Sequence, residues 1–388
     1  MFKKLIIKNS FVANSAFFIL FSGFFFYQIL VATGIIFPYL GAYWGVANFI
    51  LLPSLLFVYL LSGKLSVERG NVNDLFVFAY ISYFFIILLS NGLLLEGNNK
   101  IVWTHFSSLI QFLTIFLIFR MIEIEKKHFV VLCLLCWLTM SCVILYYGVN
   151  GGANFQRNSA MVESDAIASY QEIGFVYFIF STINILFIKN KLIRYLFYIV
   201  AMMSLFLNGS RSDLGAFLVV LLVLEFFLKT LKIKFLWVFL LILLVPLTIE
   251  YAINFFPDSR VLGLLTPSND GSVSERLQMF EQGLNTLDEN PFLGDYGSYQ
   301  PGHYIHNILS VWVDLGLLGF LIYSSLVFFS LCYAIYQISW LHSKSKYLIL
   351  SLCFLSVSVV LLILSKNFTY LMVPAGLGLL SNFTERNK

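Results

Sequence analysis

Apolar residues fall in long, nearly uninterrupted runs that recur from one end of the chain to the other, separated by short polar stretches. Twelve runs can be marked, at approximately 11–32, 35–62, 74–95, 101–122, 128–148, 166–188, 193–208, 213–229, 235–256, 306–337, 347–365 and 368–383. A helix needs about 17–25 residues to cross the hydrocarbon of a bilayer, and most runs reach that length. Backbone N–H and C=O groups cannot face lipid unpaired, so continuous runs predict helices. A membrane barrel would instead alternate in segments of about ten residues, which this chain does not do. The pattern therefore predicts an all-α, polytopic integral membrane protein of about twelve transmembrane helices, with 1–388 forming a single transmembrane domain. The first run exceeds the ~7–15 apolar residues of a signal-peptide core, so it is expected to remain as a span. The seventh, eighth and twelfth runs are short.

The period changes once, in the long polar segment 257–305. Val273, Leu277, Phe280, Leu284 and Leu287 are spaced 4, 3, 4 and 3, a single helical stripe. Ser272 followed by Glu275 is a capping-box pattern, and Asn290-Pro291 supplies the stop. An amphipathic helix of about five turns is expected to lie along the membrane surface, its stripe on lipid or on the spans.

Composition narrows the function classes. Hydrophobic residues make up 60% of the chain and charged ones 11%, with a mean hydropathy of +0.87. Soluble domains carry about 25% charged residues, so a soluble or disordered protein, or a cytosolic enzyme with a small anchor, is excluded. The net charge of +4 is too small to suggest a nucleic-acid partner. The five cysteines all lie in apolar runs, and Cys133-Leu-Leu-Cys136 is read as packing rather than as a redox or metal pair.

The placement of charge sets an orientation. With a cytoplasmic N-terminus, all of the 24 Lys and Arg residues fall on the inner side except Lys100, Arg157, Arg211, Arg260, Arg276 and Lys366. Excess Lys and Arg mark cytoplasmic loops, so both termini are expected inside and the 257–305 loop outside. The rule accounts for the inner cations and leaves the outer ones needing another reason.

Four outer elements carry candidate chemistry. Arg276 is expected in the first turn of the amphipathic helix, where free N–H groups and the dipole favour anions; the plainer reading is a solvated arginine. Arg211 lies in Asn208-Gly-Ser-Arg-Ser-Asp213 at the start of another helix, where Ser210 or Ser212 can cap; the alternative is snorkelling to headgroups. His306-Asn307 opens the tenth run, and Asp314 follows about 12 Å further along a continuous helix. An ionisable residue inside a span is a functional candidate by default, or else a partner for another polar group in the bundle. The loop from about 149 to 164 contributes Arg157 and Glu163. Guanidinium groups suit bidentate phosphate recognition, so Arg157, Arg211 and Arg276 point to a pyrophosphate. No Asp-x-Asp sequence occurs, which favours binding without a metal. Arg260 and Lys366 belong to no motif.

Ser274-Glu-Arg276, Glu289-Asn-Pro-Phe-Leu-Gly294, His306-Asn307 and Asp314-Leu-Gly-Leu-Leu-Gly319, in this order, resemble the C-terminal signature of the O-antigen polymerase and O-antigen ligase superfamily. Gly209-Ser-Arg211 resembles the family's Ser-Arg turn, and the segment around Arg157 and Asp165 its earlier outer loop. Asp314 stands where relatives often carry Glu. The specific likeness covers roughly 150–320.

The resemblance implies a metal-independent membrane glycosyltransferase without cofactor, facing the periplasm from the bacterial inner membrane. Its polymerases move a growing glycan from undecaprenyl pyrophosphate onto the next lipid-linked repeat unit, and a chain-length regulator is a possible partner beside membrane lipid. Arg157, Arg211 and Arg276 would bind the pyrophosphate. His306 would accept or orient the acceptor's proton, with Asp314 and Glu163 behind it. Inversion at the anomeric carbon is expected on the resemblance alone. The rivals are a ligase acting on lipid A–core, and a flippase for lipid-linked oligosaccharides. A transporter should show related halves, whereas the long loop occurs once.

Overall fold

The computed structural model describes residues 2–37, 43–61, 71–94, 99–149, 170–228 and 271–387. Among them all regular structure is helical: α1 (Phe2–Phe17), a π-helical turn (Phe18–Gly23), α2 (Phe24–Ala32), α3 (Tyr43–Leu61), α4 (Val72–Leu94), α5 (Asn99–Met121), α6 (Lys127–Val149), α7 (Tyr170–Ile185), α8 (Lys191–Leu207), α9 (Arg211–Leu228), α10 (Gly271–Glu289), α11 (Ser310–Ser339), α12 (Lys346–Leu364) and α13 (Met372–Arg386).

Seven helical stretches among the described residues are long and apolar enough to cross a membrane: Ser10–Ala32, Tyr43–Leu61, Val72–Gly92, Lys100–Met121, Lys127–Gly148, Ser310–Ser339 and Lys346–Leu364. The protein is thus an all-helical, multi-pass membrane protein by length and composition. Four further expected spans are helices whose described residues fall outside that length and apolarity. α7, α8 and α13 have 16, 17 and 15 residues. α9 reaches 18 but carries Arg211, Asp213 and Glu225. Every residue of α7 from Ile173 to Ile185 is buried, as is every residue of α13 from Met372 to Phe383. The expected ninth span, 235–256, lies outside the described residues.

The chain forms two compact units. The first comprises 1–17, 44–122 and 271–388; the second comprises 18–43 and 123–270. In the first, α13 packs against both α5 and α12. Glycines permit the approach, since a Cβ on Gly378 would stand 2.6 Å from the Phe116 carbonyl and one on Gly376 2.9 Å from Leu355. The Asn382 amide donates to the Phe119 and Ile122 carbonyls, at 3.2 and 2.9 Å, satisfying the last turn of α5. At the same end Arg120 is 1% exposed. Its guanidinium pairs with Asp74 at 3.0 Å and with Glu385, and the Tyr59 hydroxyl donates to Asp74 at 3.0 Å. Arg120, read from sequence only as a topology signal, thus ties α3, α4, α5 and α13 together.

In the second unit α6, α7, α8 and α9 pack on one another. Trp137 stacks on Phe197 with ring centroids 3.6 Å apart and donates to Ser181 at 2.9 Å. Arg194 and the Tyr198 hydroxyl both reach Glu225, at 3.2 and 2.7 Å. The cysteines are free, and Cys133 is buried on α6.

Candidate active site

The Pro-Phe-Leu-Gly and Asp-Leu-Gly motifs form one backbone clasp in the first unit. α10 ends at Glu289, and Gly294 closes the following turn by donating to the Asn290 carbonyl at 3.0 Å. Gly294 has φ +68°, and a Cβ there would run into the Val313 carbonyl. The next amide, Asp295, donates to that carbonyl at 2.8 Å. On the other side Gly316, at φ 70° and ψ 178°, breaks α11. The break turns the Leu317 amide to the Phe292 carbonyl at 2.9 Å and leaves the Leu315 carbonyl for the Tyr83 hydroxyl at 2.8 Å. The Trp312 indole adds a bond to the Pro291 carbonyl at 2.6 Å. Only glycine can occupy both contact points, because each needs a left-handed φ and an open Cβ position.

The clasp corrects the expected geometry of the tenth span. His306 and Asn307 lie in turns ahead of α11, with the Asn307 side chain accepting from the Leu309 amide at 2.8 Å. α11 begins at Ser310 and is interrupted at Gly316, so Asp314 sits in a short helical piece rather than about 12 Å down a continuous helix.

The loop helix exists, with Gly271–Glu289 giving the five turns expected, but its stripe is rotated. Met279, Gly283 and Leu287 are buried, whereas Leu277 and Leu284 are exposed. Leu287 joins Ile305 and Val313 in a small core with Phe280, Tyr299, Leu309 and Trp312 against it. A Cβ on Gly283 would overlap Ile305, so this glycine sets how closely α10 approaches. Arg276 is the sixth residue of α10, in the second turn rather than the first, and it is exposed.

Asp314 is buried and held by three contacts. The Tyr299 hydroxyl donates to its two oxygens at 3.0 and 2.9 Å, and the Gly297 amide donates at 3.3 Å. His105 from α5 stands behind, with Nε2 3.5 Å from the Tyr299 oxygen and 4.0 Å from Asp314, and Nδ1 3.0 Å from the Tyr296 hydroxyl. Burial, and then the Asp314 charge, push both the Tyr296 and Tyr299 phenols well above their ordinary range, so both remain protonated donors.

In front of Asp314 lies a cavity of about 500 Å³. α10 contributes Gln278, Gln282 and Thr286 to its wall, the loop contributes Ser298, Tyr299, Gln300, His303 and Tyr304, and α11 contributes Ser310 and Asp314. Among the described residues no lysine or arginine lines it, and Glu275 and Asp314 are its carboxyl groups. The cations gather beside it. The His306 ring lies against Tyr304 with centroids 4.6 Å apart. Burial, followed by the nearby charges of Arg276 and Lys366, lowers the His306 pKa to about 4, so its imidazole is neutral near pH 7. Tyr304 is raised by burial, an effect that Arg276 partly offsets.

The chain matches no family model and no curated protein sequence. Its chemistry is therefore read from its own residues.

The first unit brings Arg276, His306 and Asp314 into one region. Arg211 belongs to the second unit, where it opens α9 as expected, just after Gly209 at φ +77°. There Ser210 donates to Asp213, and Gly174 of α7 lets that turn pack closely. Arg157 and Glu163 lie outside the described residues. Four residues of this region were not singled out in the sequence: Lys366, His105, Tyr296 and Tyr299. Lys366, set aside for want of a motif, stands near His306, with its ammonium 5.8 Å from the Tyr370 ring centre. His105 is an ionisable residue inside an apolar span, a signal that could have singled it out. Tyr296 and Tyr299 carried no such signal, because tyrosines are common throughout this chain.

Proposed function

We propose that the protein is a membrane glycosyltransferase that moves a growing glycan from undecaprenyl pyrophosphate onto a lipid-linked repeat unit, at the periplasmic face of a bacterial inner membrane. The observation that carries this reading is the division of chemistry around Tyr304. On one side, Arg276 and Lys366 offer cations to a phosphate-rich donor beside a neutral imidazole. On the other, amides, hydroxyls and a carboxylate line a cavity suited to a polyhydroxylated ligand.

The reaction forms a bond between an acceptor oxygen and the anomeric carbon, while the bond to the pyrophosphate breaks with its electron pair. Negative charge then grows on the leaving group, and Arg276 and Lys366 would stabilise it electrostatically. His306, kept neutral by burial and by its cationic neighbours, can hydrogen-bond a sugar or phosphate oxygen, yet its low pKa makes it a weak base. Arg211 and Arg157 enter this reading through the sequence resemblance. The apolar spans would accommodate the prenyl chain.

Purified protein in liposomes, supplied with a defined lipid-linked repeat unit, tests the reading by mass spectrometry of the product. A ladder of repeats supports polymerisation. Transfer only to lipid A–core would identify a ligase, and unmodified lipid crossing the bilayer would identify a flippase.

A further inference from the structure

The carboxylate of Asp314 faces the cavity from in front of three groups that sequence reasoning did not connect. When Asp314 is ionised it only accepts hydrogen bonds, and the Tyr299 hydroxyl donates its one proton to it. The Tyr299 oxygen can then only accept from His105 Nε2, 3.5 Å away. That requires the His105 proton on Nε2 and leaves Nδ1 bare, where it accepts from the Tyr296 hydroxyl at 3.0 Å. One tautomer thus satisfies every member, and each donor points toward Asp314. The Phe84 and Phe368 rings meet the imidazole at centroid distances of 6.0 and 5.5 Å and fix its plane. The contact at 3.5 Å is the longest link of the chain.

We infer that His105 is a positioning residue, which through Tyr296 and Tyr299 holds Asp314 as the proton acceptor for a sugar hydroxyl in the cavity. The inference rests on the glycosyltransferase reading above and moves the role of base from His306 to Asp314. As the acceptor oxygen bonds to the anomeric carbon, its proton passes to an Asp314 oxygen. The electron pair of the breaking bond leaves with the pyrophosphate, and the proton on Asp314 then returns to water in the cavity. With the other histidine tautomer the bare Nε2 would compete with Asp314 for the one proton of Tyr299.

The test uses the full chain in liposomes, with the lipid-linked repeat unit of the producing strain as substrate. His105→Gln is expected to lower kcat at least tenfold with little change in KM, since a misplaced base loses rate rather than substrate binding. Tyr296→Phe should lower kcat less, because His105 can still adopt the required tautomer. The double variant should be no worse than His105→Gln alone, because both act through one chain. Normal kcat in His105→Gln, or losses that multiply in the double variant, would overturn the inference. An independent readout is the ¹⁵N spectrum of histidine-labelled protein, with the His105 signal assigned by its absence in His105→Gln. A proton on Nδ1 in the unmodified protein breaks the chain whatever the turnover. If the unmodified protein makes no polymer, the polymerase reading fails and the catalytic assignment with it, while an Nε2 proton would still establish the hydrogen-bond chain.

Discussion

Tyr304 stands between two chemistries, its ring tilted by 46° against that of His306 while its residue also lines the cavity in front of Asp314.

The first prediction concerns His306. Burial and two cations hold its pKa at about 4, below the usual 6.5. Removing one cation, in Arg276→Gln, should raise it. Titration of the His306 ring signal by NMR checks both values. The sign for stability follows from the same shift: the neutral ring contributes fully above about pH 6.5, and that contribution is lost as the pH falls through about 4. A ring already charged at pH 6 in the unmodified protein would contradict the arrangement.

The second prediction separates the clasp glycines from an open one. Gly302 has φ +92° but no atom within 4 Å of a Cβ position. Gly302→Ala should therefore cost only backbone strain, about 1–2 kcal/mol. Gly294→Ala and Gly316→Ala add collisions with carbonyl oxygens of the facing segment, a further ~1–3 kcal/mol of displacement. Thermal unfolding in detergent should rank Gly302→Ala mildest. All three variants unfolding at one temperature would argue against the clasp.

The third prediction distinguishes charge from geometry at the cations. Arg276→Lys keeps the charge and loses the fork, so one charge-assisted hydrogen bond is lost, worth roughly 1.5–3 kcal/mol. That is about tenfold to a hundredfold in rate. The same loss is expected of Arg211→Lys, on the strength of its place at the start of α9. Lys366→Ala, which the sequence placed among inert positions, should now reduce polymer as well, because Lys366 stands near His306. Polymer yields at matched expression decide these cases, and a normal yield from Arg276→Lys would return that residue to a solvated surface role.

The fourth prediction lies at the other end of the first unit. Arg120→Leu leaves Asp74 buried without its guanidinium partner. Breaking one side of a buried ion pair costs about 3–5 kcal/mol. Asp74→Asn should be milder, because Arg120 keeps Glu385. Folded yield after detergent extraction is the measurement, and equal losses in the two variants would not fit this arrangement.

The helical, multi-pass character was legible in the sequence because lipid imposes one rule on every span: bury the backbone polar groups and expose apolar side chains. α7 and α13 were expected as spans on apolarity alone; that protein encloses them is an addition that cannot be read from a run of Ile and Phe. The loop helix was found with its expected length, and of its expected stripe Phe280 and Leu287 pack on protein while Leu277 and Leu284 are exposed. Its 3–4 spacing marked Leu277 and Leu284, but Gly283 and Met279 face the protein because Ile305 needs the space above a glycine. Asp314, Gly294 and Gly316 were visible as motif residues, while their mutual contact depended on a helix break that the apolar pattern passes over. His105 lay 191 positions from its Tyr296 partner, a distance at which one sequence carries no pairing signal.

The enclosure of α12 and α13 has a consequence for the membrane itself. Within the first unit, α3 has 22% of its spanning window buried and α12 has 72%. A bilayer thicker or thinner than the protein prefers acts on side chains that touch acyl chains, and helices answer by tilting. That adjustment falls on helices such as α3, whereas α12 and the enclosed α13 are shielded by their neighbours. Lipid composition should therefore change how α3 sits and leave unaltered the packing of α13 on α5, the helix that carries His105.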